Sequence, residues 1–131
     1  MVVVAIISIL AVIALPQYQK FTTKAKVSAA LAELAGNKGL VTASVVEGDL
    51  NGIVPRMKQL LPASSARCSE FTIGINSLPG DEVSFSLGCV LADPIADSAE
   101  IRIAQHPTMG WECYAFYIPT DVLPNGCRKV L

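Results

Sequence analysis

The segment MVVVAIISILAVIALPQYQ, residues 1–19, contains no charged side chain. Its first fifteen residues are apolar apart from Ser8, and we call this stretch, residues 1–15, the rod. As an α-helix the rod would be about 22 Å long. A bilayer core is about 30 Å thick and takes roughly 20 residues to cross. The rod by itself is therefore too short for a transmembrane span.

Two other interpretations of the rod stay open at this point. A signal peptide has an apolar region of about 7 to 15 residues, but it also has a basic region before it and an A-x-A cleavage site after it. The sequence shows neither of these features. A buried core helix is the second alternative, but one domain of 131 residues does not easily enclose a helix that is apolar on every face.

Pro16 follows the rod directly. Proline has no backbone N–H, and its ring clashes with the carbonyl group four residues earlier, at a cost of about 3 kcal/mol or more. The sequence therefore predicts a helix that is kinked or loosened between Val12 and Pro16.

Helical composition resumes after Pro16 and predicts one long helix over residues 1–46. Small or apolar residues recur every three to four positions and predict a stripe on one face. The predicted stripe contains Phe21, Ala25, Ser28 or Ala29, Ala32, Ala35 and Gly39 or Leu40, widened by Val27, Leu31 and Leu34. The helix should be apolar all round in its first third and one-sided afterwards.

The charges are unevenly distributed. Lys and Arg number 10, Asp and Glu number 11, and the net charge is -1, which gives no basic footprint for nucleic acid. The first charge is Lys20, so every charge lies beyond the uncharged segment. We therefore divide the chain into a hydrophobic helix segment, residues 1–19, and one globular domain, residues 20–131, that includes the amphipathic half of the helix.

The pattern after the long helix predicts an α+β fold. A short helix is expected at about residues 55–61, where Gly48, Gly52 and Pro55 interrupt the preceding pattern. Alternating apolar residues then predict four strands, around 71–75, 83–87, 101–103 and 111–117, with turns at 78–81 and at Asp93-Pro94. In the last strand, Trp111, Cys113, Ala115 and Tyr117 should share one face. An antiparallel four-stranded meander packed on a long helix follows.

The four cysteines are Cys68, Cys89, Cys113 and Cys127. They can pair in three ways, and the sequence alone does not choose among them. A zinc site is disfavoured because no C-x-x-C occurs and the gaps are long. No metal and no cofactor are predicted.

The remaining candidates for chemistry are weak. His106 with Cys113 and Glu112 could suggest a thiol nucleophile and its base, but a turn histidine beside a disulfide-bonded cysteine is the simpler interpretation, and no enzyme motif occurs. We predict no enzymatic activity. A surface for DNA could combine aromatic and basic residues. Its candidates are Tyr114, Phe116, Tyr117, Arg128 and Lys129.

The apolar run ending in ALPQYQ and followed by KFTTKAKVSAAL resembles the N-terminal helix of type IV pilins. In that family a peptidase removes a basic leader and leaves an N-methylated Phe, so the resemblance implies that about six residues precede Met1. The family's acidic residue would lie two positions before Met1, and no residue here matches it.

The resemblance also implies roles for residues of this chain. It favours the disulfide Cys113–Cys127, closing a C-terminal loop, and leaves Cys68–Cys89 as the second bridge. It implies that the helix breaks near residues 12–15 in the assembled filament, before Pro16. The residues expected to form the filament core are Met1, Val2, Val3, Val4, Ala5, Ile6, Ile7, Ile9, Leu10, Val12, Ile13 and Leu15.

The function implied by the resemblance is that of a major pilin. Identical subunits would form a helical pilus for adhesion, twitching motility and DNA uptake. The subunit would lie in the bacterial inner membrane before assembly and on the cell surface afterwards. Its partners would be the pilus assembly machinery, a host or abiotic surface, and nucleic acid. A minor pilin or pseudopilin, and a DNA-binding competence pilin, are the alternatives.

Overall fold

The computed structural model describes residues 1–46, 50–77, 83–93 and 95–131. Within these residues three α-helices come first: α1 (Val2–Gly36), α2 (Lys38–Val46) and α3 (Leu50–Leu60). The strands follow as β1 (Cys68–Ser77), β2 (Val83–Leu91), β3 (Glu100–His106), β4 (Gly110–Phe116) and β5 (Cys127–Lys129), with a 3-10 turn at Thr120–Val122. A long N-terminal helix on a mostly antiparallel sheet confirms the predicted α+β fold.

The long helix predicted for residues 1–46 is present as α1 and α2, which are separated only by Asn37. The backbone of Asn37 lies at φ -93° and ψ 3°, outside the helical region. Its side-chain amide donates to the carbonyl of Glu33 at 3.0 Å, so the side chain replaces part of the interrupted helical bonding.

The helix face that packs on the sheet contains part of the predicted stripe, since Val27 and Leu34, which widened the stripe, are buried. The buried residues are Val27, Ala30 and Leu34 in α1, then Val41 and Ser44 in α2. The residues at the centre of the predicted stripe, Phe21, Ala25, Ala32 and Ala35, are exposed. Because Val and Leu side chains bury more apolar area than Ala, the helix presents these larger residues to the sheet.

Helix α3 begins at Leu50, earlier than the predicted start at residue 55, and Pro55 lies inside it. Ile53 and Met57 are buried at 3% and 1% exposure. They are four residues apart and so share one helix face. Burial of this face outweighs the local signals at Gly52 and Pro55. The interruption predicted at Gly48 lies outside the described residues.

The sheet order is β1-β2-β3-β4-β5, and the first four strands form the predicted antiparallel meander. The prediction of four strands is wrong by one, because β5 pairs with β4 in parallel. Two predicted turn positions, residues 78–81 and Pro94, lie outside the described residues.

The core lies between the sheet and the helices. Phe85 and Leu87 of β2 and Ile101 and Ile103 of β3 belong to it. Burial alternates along the start of β3, as predicted, whereas in β2 Ser84 and Ser86 are buried as well. The last strand ends one residue earlier than predicted. Tyr117 adopts a positive φ of 57° and is 50% exposed, so it does not continue the face of Trp111.

Candidate functional site

The rod has no partner within its own chain. Every residue from 1 to 15 is exposed, and the large apolar side chains among them are at least 52% exposed. Exposed apolar surface of this extent marks a site for protein or membrane interaction. The exposed large side chains are Met1, Val2, Val3, Val4, Ile6, Ile7, Ile9, Leu10, Val12, Ile13 and Leu15. Ala5 is also exposed.

The helical region Val2–Val46, which comprises α1 and α2, is long and apolar enough, by length and composition, to cross a membrane. Its most apolar window is not buried within the protein. The region exceeds the length of the rod because it also includes the more polar residues that follow Pro16.

Helix α1 runs through Pro16 without interruption in the isolated chain. The kink or loosening predicted between Val12 and Pro16 stays a prediction. Proline cannot donate to the carbonyl of Val12, so the helix lacks one backbone hydrogen bond there. The helix can absorb that loss because bonds before and after the gap remain. The break implied for the assembled filament stays a prediction.

Among the described residues, two ion pairs join α1 to residues that follow the helices in sequence. Lys20 Nζ lies 3.2 Å from Asp121 Oδ2, and Lys26 Nζ lies 2.9 Å from Asp93 Oδ2. Asp121 belongs to the 3-10 turn, whereas Asp93 follows β2. The hydrogen bond from Lys20 lowers the pKa of Asp121 below its ordinary value. These pairs were not predicted, because the partners are far apart in sequence and only the folded sheet brings them to the helix.

The cysteines form two disulfides, Cys68–Cys89 and Cys113–Cys127, as the pilin resemblance implied. The first joins β1 to β2, where Cys68 faces Leu91 and Cys89 faces Phe71 in the register of the sheet. Both of its cysteines are fully buried. The second joins the register partners of β4 and β5, with the Cα atoms 4.5 Å apart. This bridge fixes the short parallel strand against the edge of the sheet.

The enzyme-like grouping of Cys113, His106 and Glu112 has no reactive thiol, because Cys113 is disulfide-bonded. Nδ1 of His106 instead accepts a hydrogen bond from the backbone N–H of Thr108 at 3.3 Å. His106 therefore organises the turn between β3 and β4. Among the described residues, no cluster of His, Cys, Asp and Glu side chains could hold a metal ion.

A polar cluster lies on the sheet face opposite the helix. The guanidinium of Arg102 donates to Glu100 Oε1 through Nε at 3.0 Å and Nη2 at 2.7 Å. The hydroxyl of Thr72 donates to the same oxygen. Arg102 also stacks on Phe116, with its Cζ 5.3 Å from the ring centre. Sequence reasoning missed this cluster, although the glycines at 74 and 88 inside strands are a signal of close side-chain approach.

The residues considered for a DNA surface do not form one unoccupied patch. The hydroxyl of Tyr114 donates to Glu112, and this bond, with partial burial, raises the pKa of Tyr114. Phe116 is covered by Arg102. Arg128 and Tyr117 are exposed, but Arg128 Nη2 lies 3.9 Å from Glu112 Oε1.

Comparison with known proteins places these features in a family. The pilin family, whose members form bacterial filaments, matches residues 23–128. Fimbrial protein EcpB of Eikenella corrodens is 34% identical over 99% of this chain and 92% of its own length. A fimbrial protein of Pseudomonas aeruginosa is 34% identical over 56% of this chain. Fimbrial protein Q of Moraxella bovis is 48% identical over 37% of this chain and 31% of its own length.

The matched region spans 42% of the length of the Pseudomonas aeruginosa relative, so that comparison concerns part of that protein only. The family match and the Eikenella corrodens match each cover most of this chain. The fold agrees with both, since a long N-terminal helix packs on a sheet that a C-terminal disulfide closes. The chain belongs to the pilin family.

Proposed function

We propose that this chain is the major subunit of a type IV pilus that serves adhesion and twitching motility. A pilin is a structural subunit, and pilin subunits of one kind assemble into an extracellular filament. Residues 1–19 would form the assembly segment and residues 20–131 the globular head. DNA uptake, which the pilin resemblance also implied, would use the same filament.

The exposure of the rod is the observation that carries this proposal. Its large apolar side chains are at least 52% exposed in the isolated chain. Each would contribute about 1.5–3 kcal/mol on burial, so the gross driving force for leaving water is tens of kcal/mol. Lipid is as apolar as neighbouring rods, so transfer from membrane to filament gains far less. We therefore place the subunit in the inner membrane before the pilus assembly machinery adds it to the filament.

A direct DNA-binding role is not proposed. Of the aromatic residues considered for stacking, Tyr114 bonds to Glu112 and Phe116 stacks against Arg102. The net charge of -1 provides no general attraction to phosphate. A host or abiotic surface remains the proposed partner of the assembled filament.

The proposal is tested by placing one charge in the rod. Leu10→Glu should abolish filaments, because an ionised side chain in an apolar rod is unfavourable both in lipid and among other rods. Leu60→Glu is the matched control: Leu10 and Leu60 are 61% and 56% exposed, but Leu60 lies at the end of α3.

Electron microscopy of sheared cell-surface fractions gives the readout. We expect long filaments from the native chain and from Leu60→Glu, and none from Leu10→Glu. Abundant filaments from Leu10→Glu would contradict assembly through the rod. If the native chain gave only short structures when it was the sole pilin expressed, the minor-pilin or pseudopilin alternative would replace the major-pilin proposal.

A further inference from the structure

The first charges along the chain are all positive. Lys20, Lys24 and Lys26 precede every acidic residue, and the first of those is Glu33. The whole chain has a net charge of -1, so this segment differs in sign from the remainder. A positive segment directly after an apolar helix is suited to an anionic lipid surface.

Lys20 lies near the outer edge of the headgroup layer and Lys24 beyond it, if Leu15 marks the edge of the hydrocarbon. At 1.5 Å per residue, Lys20 lies about 7.5 Å and Lys24 about 13.5 Å beyond Leu15 along the helix axis. The headgroup layer adds about 5–7 Å to each side of the hydrocarbon core. Long lysine side chains extend toward this layer from positions just beyond it. If the rod lies in the hydrocarbon, Lys20 and Lys24 can therefore reach the phosphate groups.

The ion pairs of the head leave one of these charges uncompensated. Lys20 pairs with Asp121 at 3.2 Å, and Lys26 pairs with Asp93 at 2.9 Å. Lys24 is exposed and forms no ion pair with any residue that the structure describes. Among the described residues, it is the lysine nearest the rod that forms no ion pair with a carboxylate.

Aromatic side chains accompany the lysines. Tyr18 and Phe21 are 69% and 74% exposed. Aromatic residues, Tyr and Trp above all, concentrate where hydrocarbon meets headgroups, because one part of the side chain is apolar and another is polar. Together with Lys20 and Lys24, these two aromatic residues form a patch on one side of α1, within about 160° of its circumference, which we call the collar.

We infer that the collar binds anionic phospholipid headgroups, with Lys24 contacting the phosphate. This inference rests on the proposed residence of the subunit in a membrane before assembly. Zwitterionic headgroups attract Lys24 less, because each also carries a positive charge. The collar therefore selects anionic phospholipids around the subunit. Lys20 contributes less than Lys24 because Asp121 offsets its charge.

The experiment uses the full chain in phosphatidylcholine vesicles that contain a trace of spin-labelled lipid. Electron spin resonance measures the fraction of labelled lipid whose motion the protein restricts. Separate samples carry labelled phosphatidylglycerol or labelled phosphatidylcholine, and the ratio of their association constants is the preference. We expect the native chain to prefer phosphatidylglycerol, and added salt to weaken the preference.

Three variants locate the preference. Lys24→Gln should lower it by up to about fivefold, the effect of one lysine near an anionic surface. Asp121→Asn should raise it, since Lys20 loses its carboxylate partner. Lys58→Gln is the control and should change nothing, because α3 packs on α2, which begins 23 residues beyond Leu15.

The outcomes separate this inference from the proposed function. Restricted lipid with equal affinity for both labels would show that the rod enters the bilayer and that the collar does not select headgroups, which overturns the inference alone. A preference that Lys24→Gln leaves unchanged would overturn it equally. No restricted lipid of either kind would contradict the membrane stage itself, and the inference with it.

Discussion

Gly88 shows how a single residue controls the outer face of the sheet. It lies in β2 between Thr72 of β1 and Arg102 of β3 in the register of the sheet. A Cβ at this position would overlap Glu100 Oε1 and Thr72 Oγ1. The absence of a side chain therefore allows Thr72 and Glu100 to meet across β2.

We predict that Gly88→Ala lowers the free energy of unfolding by about 1–3 kcal/mol, because the methyl group displaces the Thr72–Glu100 hydrogen bond. Gly39→Ala is the control: a Cβ at residue 39 would contact nothing within 4 Å. Alanine at residue 39, in α2, should raise the free energy of unfolding by about 0.5–1 kcal/mol. Denaturant unfolding in detergent, followed by Trp111 fluorescence, measures both. Equal stability of the native chain and Gly88→Ala would contradict the close packing at residue 88.

At the scale of an element, β5 depends on its disulfide. The strand has three residues, and its pairing with β4 includes the bridged partners Cys113 and Cys127. So short a strand has few backbone hydrogen bonds of its own. The bridge closes a loop with a sequence separation of 14.

We predict that the double substitution Cys113→Ala, Cys127→Ala lowers the free energy of unfolding by about 3 kcal/mol, the value expected for a loop of this size. Hydrogen exchange should also show that the amide of Val130, which donates to Ala115 at 2.9 Å, loses protection. Retained protection at Val130 in the double variant would mean that the sheet holds β5 without the bridge.

The elements differ in how far the sequence predicts them. The long helix could be predicted because its first third is apolar on every side and its later part rich in Ala and Leu. Its buried face could be predicted only in part: Val27 and Leu34 of the predicted stripe are buried, whereas the burial of Ala30 was not predicted, since small residues occur on every face after residue 25. The packing of the sheet against Val27 and Leu34 determines which of these helix faces is buried.

The sheet was predicted where a strand alternates apolar and polar residues over several positions. Phe85 and Leu87 gave such a signal, and both are buried. Strand β5 has only three residues and no alternation to recognise. The outer cluster depends on register, because Thr72 and Glu100 are 28 residues apart in sequence. The exposed rod, in contrast, could be predicted from composition alone.

Across the whole molecule, charge contributes to holding α1 against the strands and their loops. Lys20 and Asp121 form one of the ion pairs that connect α1 to residues beyond β2. The bond from Lys20 lowers the pKa of Asp121, so the folded chain holds the carboxylate in its charged form more strongly than the unfolded chain does. This contribution to stability is present above the ordinary pKa of 3.8 and is lost as pH falls through the lowered value.

We predict that Lys20→Gln lowers the Tm at neutral pH and that its Tm converges with the native one in acid. Lys24→Gln is the control, since Lys24 makes no ion pair with the described residues, and its Tm should follow the native value. Circular dichroism in detergent at a series of pH values between about 6 and 2 measures all three chains. A difference between Lys20→Gln and the native chain that stays constant into acid would show that the pair does not stabilise the fold.

The continuity of α1 has a mechanical consequence. No loop separates the rod from the head, because the same helix runs from Val2 to Gly36. Tension applied to the head therefore reaches the N-terminal end of the rod through the backbone hydrogen bonds of this one helix. Helix α1 lacks the hydrogen bond to the carbonyl of Val12, because Pro16 has no N–H. Under load, the turn between these two residues has the least resistance to extension.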